Sequence, residues 1–497
     1  MMDQLPIGLL EGKLEIPYQA SHEAFQRLYR NFPYHFLMES KQVSLFSGRF
    51  SLIGVDPVLK ITGKDDHFEI KFLNSRGIFF TDQFSEKDFL LCPDVKITSG
   101  SITGTIKKDH HILEEKNRPR MNNVAQVIRI VLEKFSLPKK NLLGLYGTLS
   151  YDFIRLFEDL QDKLPKNDIN DFTFFLYDTF LYFDHIKEQA FIVCFREKEE
   201  EVHLMETKLQ EYLQQAAPMA SQFTIQDAAP SLTKEAFEAM VRVAKGYIRD
   251  GELVQVVFSN ILKAKFEGDP FALYLLYRDK SPSPYLFYYQ MGEEQLVGAS
   301  PEMMVRCEEG IVHLRPIAGT ARRGVDPIED HDNLVELLKS PKERAELDML
   351  IDLGRSDLSR ICEPGIHLDD YRFVEKYSRV MHTVAHLSGK LRKGCTGLDA
   401  LISCMNAGTL TGAPKISAMR IIEQHEQERR GYYGGAVGQL TFSGDVDTAI
   451  IIRTAHIRNG QLRYQSGAGI VYDSEPALEY QETLNKAQAF LETFANS

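Results

Sequence analysis

The chain contains no tryptophan among its 497 residues, although it carries 31 Phe and 21 Tyr. It has no run of 18 apolar residues, which excludes an ordinary membrane-spanning helix. Basic residues are in deficit: 58 Lys and Arg against 70 Asp and Glu leave a formal charge of −12, so no broad affinity for nucleic acid or an anionic membrane is expected. An anionic ligand would have to be met locally, by a cation or a helix N-terminus. Cys92, Cys194, Cys307, Cys362, Cys395 and Cys404 form no Cys-x-x-Cys pair, and neither a disulfide framework nor a zinc site is indicated. The first residues, MMDQLPIGLLEGKLEIP, lack the basic segment and apolar core of a secretory signal, so the chain reads as cytoplasmic.

What is present is an ordinary globular composition, 43% hydrophobic and 26% charged. Up to about residue 225, short apolar runs such as Val43 to Phe50, Leu52 to Val55, His67 to Phe72 and Phe172 to Phe183 alternate with Gly, Asp, Asn and Pro, which predicts strands joined by turns. Asn122 to Lys134 and Glu199 to Gln215 have helical spacing. The small-residue stretch AAPMASQFTIQDAAPS, 216–231, predicts a linker, dividing the chain into 1–225 and 226–497. Beyond it, strands are expected at Leu253 to Ser259, Tyr285 to Gln290, Leu296 to Gly298, Ile311 to Ile317, Gly435 to Phe442, Thr448 to Ile457 and Leu462 to Ser466. Helices are expected from Thr233, around Arg379 to Leu387, at Ala413 to His425 and at Pro476 to Phe494. The fold class is α+β, built in layers rather than as a regular βαβ array.

Ser340 to Arg360, SPKERAELDMLIDLGRSDLSR, begins as a capped helix: Ser340 caps, Pro341 takes the first position, and Glu343 completes a Ser-x-x-Glu box. Glu343 and Glu346 share a face while Leu347, Leu350 and Ile351 form an apolar stripe. The last helix repeats the spacing with Glu479 and Glu482, followed by Lys486. The pattern fits either two solvated faces or four carboxylates holding a hard cation such as Mg2+. Four glycine-rich runs, RPIAGT, GTLTGAPK, YGGAVG and GAG, are read as turns where backbone amides approach an anion. GTLTGAPK lacks the spacing of a phosphate-binding P-loop. His382 suits general-base work or a satisfied core position. Glu302, after a strand, is a general acid if burial raises its pKa and otherwise a surface residue or cap. Arg453 is expected inside an apolar strand, where it must meet a structural carboxylate or a bound anion.

Taken together and in this order, GASPEM, RPIAGT, KERAE, CMNAGTLTGAPK, YGGAVG, IIIRTA, GAGIVYDS and ETLNKA resemble the chorismate-utilising enzymes, most closely the anthranilate synthase component I group. The resemblance implies a large α/β sandwich in which helices cover stacked antiparallel sheets. It implies Mg2+ held by Glu346 and Glu482, with Glu343 and Glu479 close by, opposite the ring carboxylate of chorismate. It assigns Arg453, Tyr433 and the amides of Gly467, Ala468 and Gly469 to the enolpyruvyl carboxylate, and Thr320, Thr409 and Lys486 to the same pocket. Ammonia would add at C2 as the C4 hydroxyl leaves with a proton from Glu302, and His382 would then remove the C2 proton as pyruvate departs. Gln255 stands where water-activating relatives carry lysine, and Ala318 where many aminodeoxychorismate synthases carry lysine in PIKGT.

The resemblance also implies a tryptophan feedback pocket. LMES (Glu39, Ser40) and PYLF (Pro284, Tyr285, Leu286) would form its halves, Glu39 receiving the amino group. The absent tryptophan fits chance or an enzyme of tryptophan supply. No Gly-x-Cys-x-Gly elbow is present, so glutamine-dependent activity would require a separate amidotransferase subunit. The alternatives are aminodeoxychorismate synthase and a catalytically weak tryptophan-binding regulator. The usual AEH and RND become Ala345-Glu346-Leu347 and Arg355-Ser356-Asp357, which alters the surroundings of the proposed metal ligands.

Overall fold

The computed structural model describes residues 2–41, 48–109, 114–218, 222–377, 380–492 and 494. Most of the run Val43 to Phe50 and Arg379 itself lie outside these. Among the described residues, strands assemble into two 13-stranded sheets whose neighbours pair antiparallel, with helices packed outside. The first sheet holds Tyr34–Glu39, Tyr285–Met291, Glu294–Ser300, Thr454–Arg458, Gln461–Ile470 and Gln255–Gly268 as successive neighbours. The second runs Ile317–Arg322, Val380–Lys390, Ile311–Leu314, Met303–Glu308, Val446–Ile450, Ala436–Thr441 and Gly144–Leu149. Both sheets contain strands from before and after residue 225: Tyr34–Glu39 pairs with Tyr285–Met291, and Gly144–Leu149 with Ala436–Thr441.

The sheets face each other across an aromatic core. Phe36 of the first sheet stacks on Tyr146 of the second with centroids 4.9 Å apart, and Tyr289 lies 5.3 Å from Phe36 on the same layer. Phe36, Tyr146 and Tyr289 are fully buried. Such rings bring large apolar area together with stacking geometry. Helices Glu199–Gln214, Pro270–Lys280 and Pro476–Leu491 cover the outer face of the first sheet. On the last of these the buried stripe is Thr483, Ala487 and Phe490.

The structure corrects several expectations. Residues 216–231 are not simply a linker: Phe223–Pro230 is an edge strand on Gln255–Gly268, with Phe223 and Ile225 half-buried against the core. An edge position tolerates its terminal proline. The segment around Arg379 to Leu387 is the strand Val380–Lys390, not a helix. Thr383 to Leu387 are buried in succession, so side chains on both faces are covered, one of them by the helix Pro341–Ser359, whose Gly354 lies against Leu387, and the period-2 signal is lost. RPIAGT contributes the strand Ile317–Arg322, bulged between Ala318 and Thr320. Gly467 to Gly469 lie within the strand Gln461–Ile470, not in a turn. Their small size serves close approach: a Cβ on Gly467 would fall 2.6 Å from Tyr433 Oη, and one on Gly469 would fall 2.9 Å from Gln255 Nε2. Arg453 is not inside a strand; it sits between Val446–Ile450 and Thr454–Arg458 with φ +50°.

That last correction has a topological cause. Val446–Ile450 belongs to the second sheet and Thr454–Arg458 to the first, so the chain crosses between sheets through Arg453. The chain makes the reverse crossing at Pro301 and Glu302, between Glu294–Ser300 and Met303–Glu308. The crossings touch: Ile450 N–H donates to the Glu302 carbonyl at 3.0 Å, and Ala299 N–H to the Arg453 carbonyl at 3.1 Å. A seam between the sheets therefore holds a carboxyl group and a guanidinium on adjoining backbone.

Candidate active site

Glu302 is 8% exposed. Desolvation pushes its carboxyl up to about 8, against which the Thr409 hydroxyl, donating at 3.0 Å, pulls down. It therefore holds a proton at neutral pH, the state a general acid needs. His382 projects from Val380–Lys390, its Nδ1 3.1 Å from the Gly319 carbonyl and 3.0 Å from Thr320 Oγ1. A carbonyl only accepts, so Nδ1 carries the hydrogen and Nε2 keeps its lone pair. Burial lowers the imidazole's pKa, and the charge of Arg453 lowers it further against the carbonyl and Glu375. Tyr377 packs edge-on to the ring, with centroids 5.3 Å apart. The histidine is neutral, oriented and basic at one nitrogen.

Arg453 is half-buried and has no carboxylate partner among the described residues, which leaves its charge for a bound anion. Tyr433 is 8% exposed beside it. On the seam side, the backbone of Gln465 to Ile470 has no strand partner among the described residues, because Thr454–Arg458 pairs only as far as Tyr464. Lys486 Nζ donates to the Gly467 carbonyl at 2.6 Å and meets Glu482 at 2.6 Å. The structure thus gathers Glu302, Thr409, His382, Thr320, Arg453, Tyr433, Gly467 and Lys486 around the seam. A cavity of about 290 Å³ lies elsewhere, lined by Asp159, Gln161, Arg420 and Gln424. We place the site at the seam, where the perturbed acid and base converge.

The helix Pro341–Ser359 is capped as expected, Ser340 Oγ accepting from Glu343 N–H at 3.3 Å. Only half of the box forms, because Ser340 N–H already donates to Glu336 at the end of the preceding helix. Glu343 reaches the RPIAGT strand, where a Cβ on Gly319 would fall 2.8 Å from its Oε2. Leu347, Leu350 and Ile351 are buried.

Residues 90–492 match the chorismate binding enzyme family. The chain belongs to that family. Component 1 of anthranilate synthase from Vibrio cholerae is 35% identical over 475 residues, spanning 92% of this chain and 90% of that protein. The Aquifex aeolicus protein of the same name is 39% identical, over 70% of this chain and 73% of its own length. The crystal structure of anthranilate synthase component I from Streptococcus pneumoniae superposes with a TM-score of 0.71 at 32% identity, covering 90% of this chain and 94% of that one. The menaquinone-specific isochorismate synthase of Escherichia coli, 16% identical with a TM-score of 0.69 over 99% and 95% of the chains, shares the fold.

In this chorismate-binding enzyme the carboxylate helices fit a divalent cation. Burial raises the Glu346 pKa and the charges of Glu343 and Glu482 raise it further; burial and Glu482 do the same to Glu479. The carboxylates repel one another, which a cation would relieve. No three His, Cys, Asp or Glu side chains among the described residues already form a ligand cage.

The two halves of the expected tryptophan pocket are neighbours, Glu39 lying opposite Leu286. Glu39 is already engaged: Ser21 donates at 2.5 Å, Tyr274 at 2.7 Å, and Arg278 forms an ion pair. An amino group there would share this carboxylate. Sequence reasoning missed Arg430, buried behind Tyr433, and the pair Asp357–Lys415. A lysine at the first turn of a helix, against the macrodipole, is the signal that could have found the latter.

Proposed function

We propose that this chain is the large subunit of anthranilate synthase, converting chorismate and ammonia to anthranilate and pyruvate in the cytoplasm. The observation that carries the reading is the pairing at one seam of a buried protonated Glu302 with a neutral, oriented His382. Its relatives named anthranilate synthase component 1 support the choice among family activities. Arg453, Tyr433 and the open backbone at Gly467 to Gly469 bind the enolpyruvyl carboxylate. Glu346 and Glu482 would hold Mg2+, with Glu343 and Glu479 through water, and the bound ion would neutralise the ring carboxylate. Glu302 gives its proton to the departing C4 hydroxyl as ammonia adds at C2. His382 Nε2 takes the C2 proton, after which pyruvate leaves and the ring becomes aromatic.

Ammonia comes from glutamine through a separate amidotransferase subunit, and tryptophan binding around Glu39, Ser40, Pro284, Tyr285 and Leu286 restrains turnover. The test is direct. Protein, chorismate, Mg2+ and ammonium at alkaline pH should yield anthranilate fluorescence; accumulation of aminodeoxychorismate would refute the assignment.

His382→Ala should release pyruvate about 10²–10⁴-fold more slowly and accumulate the amino adduct. Pyruvate release at the unmodified rate would remove His382 from the mechanism.

A further inference from the structure

Two sequence motifs left without a role, Arg355-Ser356-Asp357 and the end of GTLTGAPK, meet in the core. Lys415 opens the helix Lys415–His425, and its Nζ donates to Asp357 Oδ2 at 2.6 Å and to the Met405 carbonyl at 3.3 Å. Both side chains are buried, each residue 7% exposed. Ser403 Oγ adds a bond to the Asp357 carbonyl at 2.7 Å.

The geometry is that of a staple. Bonding Met405 and beginning the next helix, Lys415 closes the two ends of the segment that carries Thr409. Asp357 then fixes the closure to the helix that bears Glu343 and Glu346. The same segment lies directly on that helix, since a Cβ on Gly408 would fall 2.6 Å from Leu353 Cδ1. On its far side Arg430 holds the Leu410 carbonyl at 2.6 Å. Between these anchors Thr409 Oγ1 reaches Glu302. A buried ion pair pays desolvation for both charges, and an apolar pair of similar size often holds a fold as well. What the ion pair adds is direction and length.

We propose that Asp357 and Lys415 are positioning residues, which fix the Met405–Lys415 segment so that Thr409 stays within hydrogen-bonding distance of the proton donor Glu302. The proposal rests on the role assigned to Glu302. It is tested with the double variant D357L/K415M, which leaves no buried charge unpaired and so keeps the fold. In that variant kcat should fall about 10- to 100-fold, the loss a small misplacement produces, with the chorismate KM nearly unchanged. The alkaline limb of the pH–rate profile should move upward, because the Thr409 bond holds the Glu302 pKa down. Amides of Ala407 to Thr411 should exchange faster with solvent.

A double variant that melts like the parent and keeps its pH profile overturns the proposal. So does parental amide protection at Ala407 to Thr411, whatever the turnover. If the parent itself makes no anthranilate, the reading of the activity fails, and amide exchange alone decides whether the pair holds the segment.

Discussion

Glu302→Gln is expected to lower kcat for anthranilate formation about 10²–10⁴-fold while the chorismate KM changes little. The amide keeps the size of the side chain and can still accept from Thr409, but it has no acidic proton for the leaving hydroxyl. The pH profile provides the second arm. Burial holds the carboxyl protonated up to about 8, so the parent should lose activity as pH rises through that value. His382, its pKa lowered, remains an unprotonated base down to pH below its ordinary 6.5, which sets the acid limb. In the Gln variant the alkaline limb should vanish along with most of the rate. Stability follows the same group. Between the ordinary value of 4.5 and about 8 the folded chain retains a proton that the unfolded chain has lost, so this group's contribution falls across that window and is lost above it. Full activity in the Gln variant would show that another group protonates the leaving hydroxyl.

Arg430→Met is expected to cost about 3–5 kcal/mol of stability, because it removes one partner of a buried charge pair. Arg430 donates to both Glu426 oxygens, at 3.0 and 2.6 Å, and to the Leu410 and Val257 carbonyls at 2.6 and 2.7 Å. Its guanidinium also lies over Tyr151 and Tyr433, 4.8 and 5.6 Å from the ring centroids. Methionine restores the packing and none of the donors. Among the described residues, Glu426 would keep only the bonds from Ser259, at 3.0 Å from N–H and 2.7 Å from the hydroxyl. Denaturant unfolding should show the loss, with part of it recovered by adding Glu426→Gln. A loss below about 1 kcal/mol would show that the Arg430–Glu426 pair holds the fold no better than an apolar contact of the same size.

The features legible in the sequence were those carried by neighbours along the chain. Ser340, Pro341 and the spacing of Glu343 and Glu346 are local, and the helix forms where they place it. The features that escaped depend on what lies across the fold. Val380–Lys390 loses its alternation because both of its faces are buried, one under the helix Pro341–Ser359; its two histidines, four residues apart, then mimic a helical face. Gly467 and Gly469 suggest a turn until Tyr433 and Gln255 are seen pressing on the strand. Arg453 sits amid isoleucines, yet the chain changes sheets there. Asp357 and Lys415 lie 58 positions apart, and the one local sign that they meet is Lys415 at a helix's first turn, against the macrodipole.

Sharing strands between the two portions of the chain also places distant residues on one rung. Glu39 faces Leu286, Leu286 faces Ala299, and Ala299 hydrogen-bonds the Arg453 carbonyl. That is three lateral steps of about 4.8 Å each. A carboxylate near the start of the chain and a guanidinium near its end are thus joined by hydrogen-bonded backbone, with no hinge or linker between. Sensing at one and chemistry at the other would be two ends of a single crossbar, and neither could be redesigned without regard to the strand geometry they share.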